Sequence, residues 1–249
     1  MKTFSRTPVF RPKATGTDMA PRAELPIATG TAADFIPPRP SLRTLREAAR
    51  LCRGCKLWTV GTQTVFGEGP ARARVMIVGE QPGDQEDKEG HPFVGPAGGL
   101  LNAALEEAGI DRSAVYVTNA VKHFKWARGD KSKRRIHKKP NDGEIRACRP
   151  WLDQEMKLVQ PEVVVCLGAT AAQALLGKTF RVTKSRGQKV SAPFAEAVFA
   201  TVHPSSILRA PDAKSREEAR RAFVADLKKV SRFLGGGERE VRRNAQRGD

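Results

Sequence analysis

Four short apolar runs, each followed by a polar loop, constrain this chain more than any other feature. They are residues 74–79 (RVMIVG), Val115–Thr118, Val163–Leu167 and 196–202. Runs of this length without polar alternation predict strands buried on both faces. Between and after them lie helical patterns. Residues 97–108 place Leu100, Leu101, Ala104 and Leu105 at helical spacing. Helices are also predicted over 142–158, which carries Cys148, Trp151, Leu152 and Met156, over Gly168–Leu176, and over about 215–233. Strands alternating with helices predict an α/β fold of three layers, α/β/α, around a central, mainly parallel four-stranded sheet.

Three polar loops follow strand ends: 80–93, 119–140 and 203–209. Ligands of open α/β sheets bind beyond the carboxyl ends of the strands. These loops are therefore expected to converge on one cleft. Ser41 is placed to cap a helix through Leu42, Leu45 and Ala49, which delivers Cys52 and Cys55 to the following loop. A chain of 249 residues is long enough for one buried core with tails left over. The expected organisation is a flexible basic arm over 1–40, a single domain over 41–233, and a loose tail over 234–249 that begins near Gly235, Gly236 and Gly237.

The formal net charge of +17 calls for a polyanionic partner, nucleic acid ahead of anionic membrane. Much of it sits in the loop 122–140, where Lys122, Lys125, Arg128, Lys131, Lys133, Arg134, Arg135, Lys138 and Lys139 face only Asp130. Such a run neutralises phosphates, and Trp126 within it can stack on a base or anchor the loop. No apolar run is long enough to span a bilayer, and no secretory pattern opens the chain, so cytoplasm or nucleoid is expected. Disulfides are then an unexpected use for Cys52, Cys55, Cys148 and Cys166. As a set of four thiolates they suit zinc or a [4Fe–4S] cluster. Cys166, inside an apolar strand, also reads as a core residue.

Residues 79–84 (Gly-Glu-Gln-Pro-Gly-Asp) and 203–209 (His-Pro-Ser-Ser-Ile-Leu-Arg) resemble the two signature loops of uracil-DNA glycosylases. The cysteine pattern resembles the iron–sulfur, family 4 branch, and the resemblance covers roughly residues 41–232. The segment 131–139, Lys-Ser-Lys-Arg-Arg-Ile-His-Lys-Lys, resembles the insertion of the UdgX class, whose members excise uracil and become joined to DNA through a loop histidine. The matching residue is His137, and Gln81 also fits that class.

The resemblance implies a uracil-DNA glycosylase-like fold and a [4Fe–4S] cluster held by Cys52, Cys55, Cys148 and Cys166. It implies uracil-containing DNA, preferably single-stranded, as partner, and free uracil as product. A monomer is the default. His203 is then the donor that stabilises the departing uracil anion at O2. Asn119 reads O4 and N3 and so excludes cytosine. Phe93 stacks on the flipped base. Glu80 is the first choice among Glu80, Asp84 and Asp87 to orient His137, stabilise the sugar cation or activate water, with Asp87 as a second catalytic candidate. Gln81 supports the pocket, and Gly83 permits a tight turn or a close approach. Ser205, Ser206 and Arg209 position a phosphate or the loop, while Lys133, Arg134, Arg135 and Lys138 meet the DNA backbone. Without the resemblance, the blander readings stand. His203 is then a satisfied surface histidine, Asn119 a cap, Phe93 a core residue and His137 one more basic loop residue. Two competing functions remain: a conventional, multiple-turnover glycosylase using activated water, and a non-catalytic nucleic-acid-binding module. A ferredoxin-like electron carrier is a weaker third.

Overall fold

The computed structural model describes residues 30–129 and 132–245, with backbone alone at 132–133 and 237–245. Most of the expected N-terminal arm, Asp130, Lys131 and the Lys133 side chain therefore lie outside the described residues. In chain order the elements are α1 (Leu42–Ala49), β1 (Val75–Gly79), α2 (Asp84–Glu89), α3 (Pro96–Glu107), β2 (Val115–Asn119), β3 (Trp126–Gly129) and β4 (Ser132–His137). They continue with α4 (Asp142–Val159), β5 (Val163–Leu167), α5 (Ala169–Leu176), α6 (Val182–Ser185), β6 (Lys189–Ala192), β7 (Ala195–Thr201), α7 (Pro204–Leu208) and α8 (Ala213–Ala245).

The expected three-layer α/β/α architecture is present. Strands run in the order β2-β1-β5-β7-β6. All pair in parallel except β6, which lies antiparallel to β7 at the edge. The sheet thus has five strands, one more than expected. The segment Lys189–Ala192 is short and half polar, so it sent no strand signal.

Side chains of a strand alternate between faces, and the two faces collect separate cores. Val75, Ile77, Val117, Val165 and Phe199 meet Leu101 and Leu105 of α3 and Phe223 and Leu227 of α8. Met76, Val78, Tyr116, Val164 and Cys166 meet Leu152 and Met156 of α4 and Ala171 and Ala172 of α5. This two-sided burial is why the strands read as continuous apolar runs. Fully burying each such side chain contributes roughly 1.5–3 kcal/mol before entropy is counted.

Two departures from expectation matter. The basic segment is not an open loop: β3 and β4 form an antiparallel hairpin that pairs Trp126 with His137 and Arg128 with Arg135. Its charged residues hid the strand period. In addition, α8 does not stop near residue 233 but runs through Gly235 and Gly236 to Ala245. Once a packed first half supplies the nucleus, each further residue needs only one hydrogen bond to propagate the helix. Among the described residues no helix is long and apolar enough to cross a membrane.

The chain leaves β1 for β2 on one side and returns to β5 on the other. The crevice beyond β1 and β5 is therefore the topological switch point, where open sheets hold their ligands. Glu80 follows β1 there, and Thr170 follows β5.

Candidate active site at the strand ends

Asn119, the last residue of β2, lies opposite Gly79 across the sheet. It is 3 % exposed, and its Oδ1 is buried without a hydrogen-bond partner. Leaving a buried acceptor unsatisfied costs about 1–3 kcal/mol, so a ligand donor is the natural complement. Gly79 makes room for this arrangement: a Cβ there would lie 2.3 Å from Asn119 Oδ1 and 2.8 Å from Phe93 Cζ. Beneath Asn119 sits a fully buried ion pair, Lys122 Nζ to Glu155 Oε2 at 2.6 Å. Lys122 Nζ also donates to Thr118 Oγ1 (2.6 Å) and to the Asn119 carbonyl (2.8 Å). Glu155 accepts from the Tyr116 hydroxyl, the Thr118 hydroxyl and the Gly67 N–H, each at 3.0 Å. Every charge is compensated, so this network fixes the strand end rigidly. Neither Lys122 in this role nor Glu155 was signalled by the sequence. In sequence Lys122 reads as one more cation of a basic loop, yet it is fully buried.

Phe93 is 8 % exposed and stacks on the His203 ring at 6.3 Å between centroids. Its φ of +58° is unusual for a bulky residue. Such strain persists where surroundings over-determine it, often at functional sites. Gly98 contributes: a Cβ there would come within 1.7 Å of the Phe93 carbonyl oxygen. His203 Nδ1 accepts from the Ser205 backbone N–H (3.2 Å) and lies 2.8 Å from Ser205 Oγ. A backbone N–H can only donate, so Nδ1 is unprotonated and the ring's hydrogen sits on Nε2. Burial pushes the His203 pKa down to about 4, with Arg209 and His137 adding to the shift. His203 is therefore a neutral donor at pH 7. Ser206 is exposed, and its hydroxyl donates to the His203 carbonyl (2.7 Å).

His137 ends the hairpin and is half-exposed, with the Phe124 ring 5.9 Å away. Gln81 Oε1 accepts from the Lys125 N–H (3.2 Å), which fixes the amide orientation. Gln81 Nε2 then donates, reaching the Lys125 carbonyl (3.2 Å), the Lys138 carbonyl (3.0 Å) and His137 Nε2 (2.9 Å). The amide nitrogen has two hydrogens for three neighbours and cannot accept, so His137 Nε2 bonds to it only in the tautomer that leaves a lone pair on that nitrogen. Glu80 Oε1 lies 3.5 Å from that nitrogen, while Glu80 Oε2 accepts from the Thr170 hydroxyl. The His137 pKa is lowered by burial and by Arg209, against the opposing pull of Glu80. Thr170, 4 % exposed, was missed because a threonine near a helix start reads as a cap.

Arg135 does not project freely toward a phosphate. Its guanidinium pairs with Asp84 and Asp87, each at 2.5 Å, and reaches Thr62 Oγ1 at 3.1 Å. It also lies over the Phe124 and Trp126 rings, at 5.3 and 5.5 Å. Asp87, fully buried, accepts from the Thr62 N–H (2.9 Å). Trp126 donates to the Val60 carbonyl (2.7 Å). Together these contacts latch the hairpin to the loop after β1 and set where His137 stands. Gly83 N–H donates to Glu86 Oε2 (3.1 Å), closing that loop. Arg134, Lys138 and Arg209 are exposed around the site.

The cysteines require a correction. Among the described residues, no group of three or more His, Cys, Asp or Glu side chains is arranged to hold a metal ion. The expected [4Fe–4S] cluster on Cys52, Cys55, Cys148 and Cys166 does not fit. Cys166 faces the core between β5 and the helices α4 and α5, away from the other three. Cys52 and Cys148 instead join Leu45, Ala49, Phe66 and Trp151 in a third apolar cluster, with Cys55 packed against it. Burial pushes the Cys148 and Cys166 thiols up to about 12, so both stay protonated at neutral pH. Cys52 Sγ accepts from Trp151 Nε1 (3.3 Å), and Cys148 Sγ from the Lys122 N–H (3.2 Å). Apolar packing of α1 on α4 tethers the N-terminal helix to the core.

Two histidines set the acid stability. His123 and His203 are both lowered to about 4 by burial, His123 against the pull of Asp87. Between pH 6.5 and 4 the unfolded chain binds more protons at these sites, so folding stability falls as pH falls through that window. By pH 5 the loss is on the order of 2 kcal/mol per histidine. Urea unfolding at pH 7.5, 6 and 5 checks this; an unchanged midpoint contradicts neutral burial of both rings.

Comparison with known proteins adds an independent line. Residues 66–228 match the model of the uracil DNA glycosylase superfamily. A type-4 uracil-DNA glycosylase of Sulfurisphaera tokodaii is 35% identical over 219 residues, covering 80% of this chain and 93% of that protein. One from Thermotoga maritima is 36% identical over 194 residues, covering 78% and 94%. A type-5 uracil-DNA glycosylase of Pyrobaculum aerophilum is more distant, at 30% over 186 residues, 68% of this chain and 77% of that protein. With its five-stranded sheet, and with Glu80, Asn119 and His203 at the strand ends, the chain belongs to the uracil-DNA glycosylase superfamily and, within it, to the type-4 uracil-DNA glycosylase family.

Proposed function

We propose that this protein excises uracil from DNA, single strands in preference, and ends joined to the sugar through His137. Membership of the family supports the excision. One observation carries the rest: His137 Nε2 lies 2.9 Å from the Gln81 amide nitrogen, which can donate to it but not accept, and 3.5 Å from the Glu80 carboxylate. A lone pair beside an anion suits a cationic sugar carbon.

Single strands are favoured because extruding a base from them costs less unstacking energy. Phe93 takes one face of the uracil. Asn119 accepts N3–H and donates to O4, and His203 Nε2–H donates to O2. As the N1–C1′ bond breaks, its electron pair passes to uracil, and these donors strengthen with the growing charge. Glu80 stabilises the positive charge on the sugar. His137 Nε2 then gives its lone pair to C1′ and forms the new carbon–nitrogen bond. The ring hydrogen on Nδ1 passes through solvent to the uracil anion, so protons balance and free uracil leaves. Imidazole is a poor leaving group from such a carbon, which makes each molecule act once. A chain acting this way works as a monomer beside DNA, in cytoplasm or nucleoid.

Intact mass reports both steps. Mixed with a single-stranded oligonucleotide carrying one deoxyuridine, the protein is expected to gain the mass of that oligonucleotide less uracil. Unmodified protein with released abasic DNA identifies the conventional, water-using glycosylase. Intact uracil-DNA with unmodified protein points to a binding module and overturns the excision as well.

A further inference from the structure

A second cavity, of about 130 Å³, lies between the start of α4, α5 and the chain leaving β4. Thr170 lines it, and the hydroxyl of the same residue holds Glu80. Lys139 also lines it, two residues beyond His137. The cavity is thus joined to the reacting centre on two sides.

Its walls are cationic. Lys139, Arg146, Arg149 and Lys178 face one carboxylate, Asp142. Two of these cations have internal work: Arg149 pairs with Asp153 (2.6 Å) and Lys178 with Asp142. Lys139 and Arg146 have no hydrogen bond or ion pair of their own among the described residues, and each acts on Asp142 only at longer range. No aromatic side chain lines the cavity, so it offers no platform for a base. Net positive charge without a stacking surface suits a phosphodiester, which positions a strand and carries no sequence information.

Resting on the uracil-excising reading above, we propose that this cavity is a phosphate subsite. It receives one backbone phosphate of the lesion strand next to the flipped deoxyuridine, held by Lys139 and Arg146. By anchoring the strand there, it sets C1′ against Glu80 and His137.

The test uses the full chain and a set of single-stranded oligonucleotides with one 2′-fluoro-2′-deoxyuridine, whose electron-withdrawing fluorine resists bond breaking at C1′ and keeps binding reversible. Each carries a single uncharged methylphosphonate at a different position around the lesion. Both side chains are exposed, so the double variant Lys139→Gln/Arg146→Gln is expected to fold, and its thermal melt checks this. Its binding is expected to be roughly tenfold weaker. The slope of log affinity against log salt should fall in magnitude by about one. At one position beside the lesion, the methylphosphonate should weaken the parent protein by a similar factor and add nothing to the loss in the double variant. Coupling of this kind marks a direct contact. If no position separates the two proteins, while inorganic phosphate raises the melting temperature of the parent alone, the cavity holds a free anion and the proposal fails. The same strands with thymine separate the two readings. Loss of all uracil preference in the parent protein counts against the glycosylase, whereas preference without the positional effect counts against this subsite alone.

Discussion

A His137→Ser protein is expected to free uracil without keeping the DNA. Asn119, His203 and Phe93, the groups proposed above to face uracil, make no hydrogen bond to His137, so base recognition is expected to survive the change. What disappears is the lone pair at Nε2 and the ring that fills the space beside Glu80. Serine is smaller and its hydroxyl is a weak nucleophile without a base. A water entering the vacated space meets the Glu80 carboxylate, which can accept its proton as oxygen attacks C1′. The product is then an abasic site that dissociates, and the protein turns over. On denaturing electrophoresis, the band that withstands heat and detergent should be absent, and released uracil should exceed protein on a molar basis. A persistent resistant band would place the bond on another residue. Loss of excision together with loss of the band would mean that His137 serves bond breaking as well as trapping.

The fold was legible because burial on both faces leaves a plain signature. Val163–Leu167 has no polar residue except Cys166, and such a strand has few alternatives. The convergence of loops followed from topology alone. What the sequence concealed was pairing. Arg135 lies in a run of cations and reads as one more phosphate contact. Its latch to Asp84 and Asp87 depends on residues 51 and 48 positions away. Lys122 belongs to the same run, yet its charge is buried against Glu155, 33 positions away. Composition registers a charge but not its partner. The cysteines misled for a related reason. With all four accounted for, a shared ligand set looks economical, but β5 turns Cys166 into the core behind the sheet, where side-chain alternation leaves it no route to the others.

Asn119→Leu is expected to separate activity from stability in opposite directions. Asn119 Oδ1 is buried and unpartnered, so the folded protein bears the desolvation of an acceptor without a compensating bond. Leucine keeps the same branched skeleton, with bulkier methyl ends, and has no polar atom to desolvate; replacing an unsatisfied polar group by an apolar one of like shape is neutral or stabilising. The Lys122–Glu155 network holds the Asn119 backbone carbonyl and does not touch its side chain, so the strand end stays in place. Melting temperature should hold or rise slightly. Excision should fall by roughly 10²–10³-fold, the range for removing one donor to a developing anion. Both bonds to the uracil edge are lost together: the acceptor for N3–H and the donor to O4. Single-turnover excision assays beside thermal melts measure the pair of effects. A destabilised variant would show that Asn119 has a structural partner, and a stable variant with undiminished excision would remove this residue from base recognition. With Asn119 reading the uracil edge as proposed, discrimination against cytosine follows from the same atoms. Cytosine presents a lone pair at N3 and an amine at C4, so it meets acceptor with acceptor and donor with donor. The parent protein therefore pays desolvation at both atoms for the wrong base, and leucine erases that penalty along with the attraction.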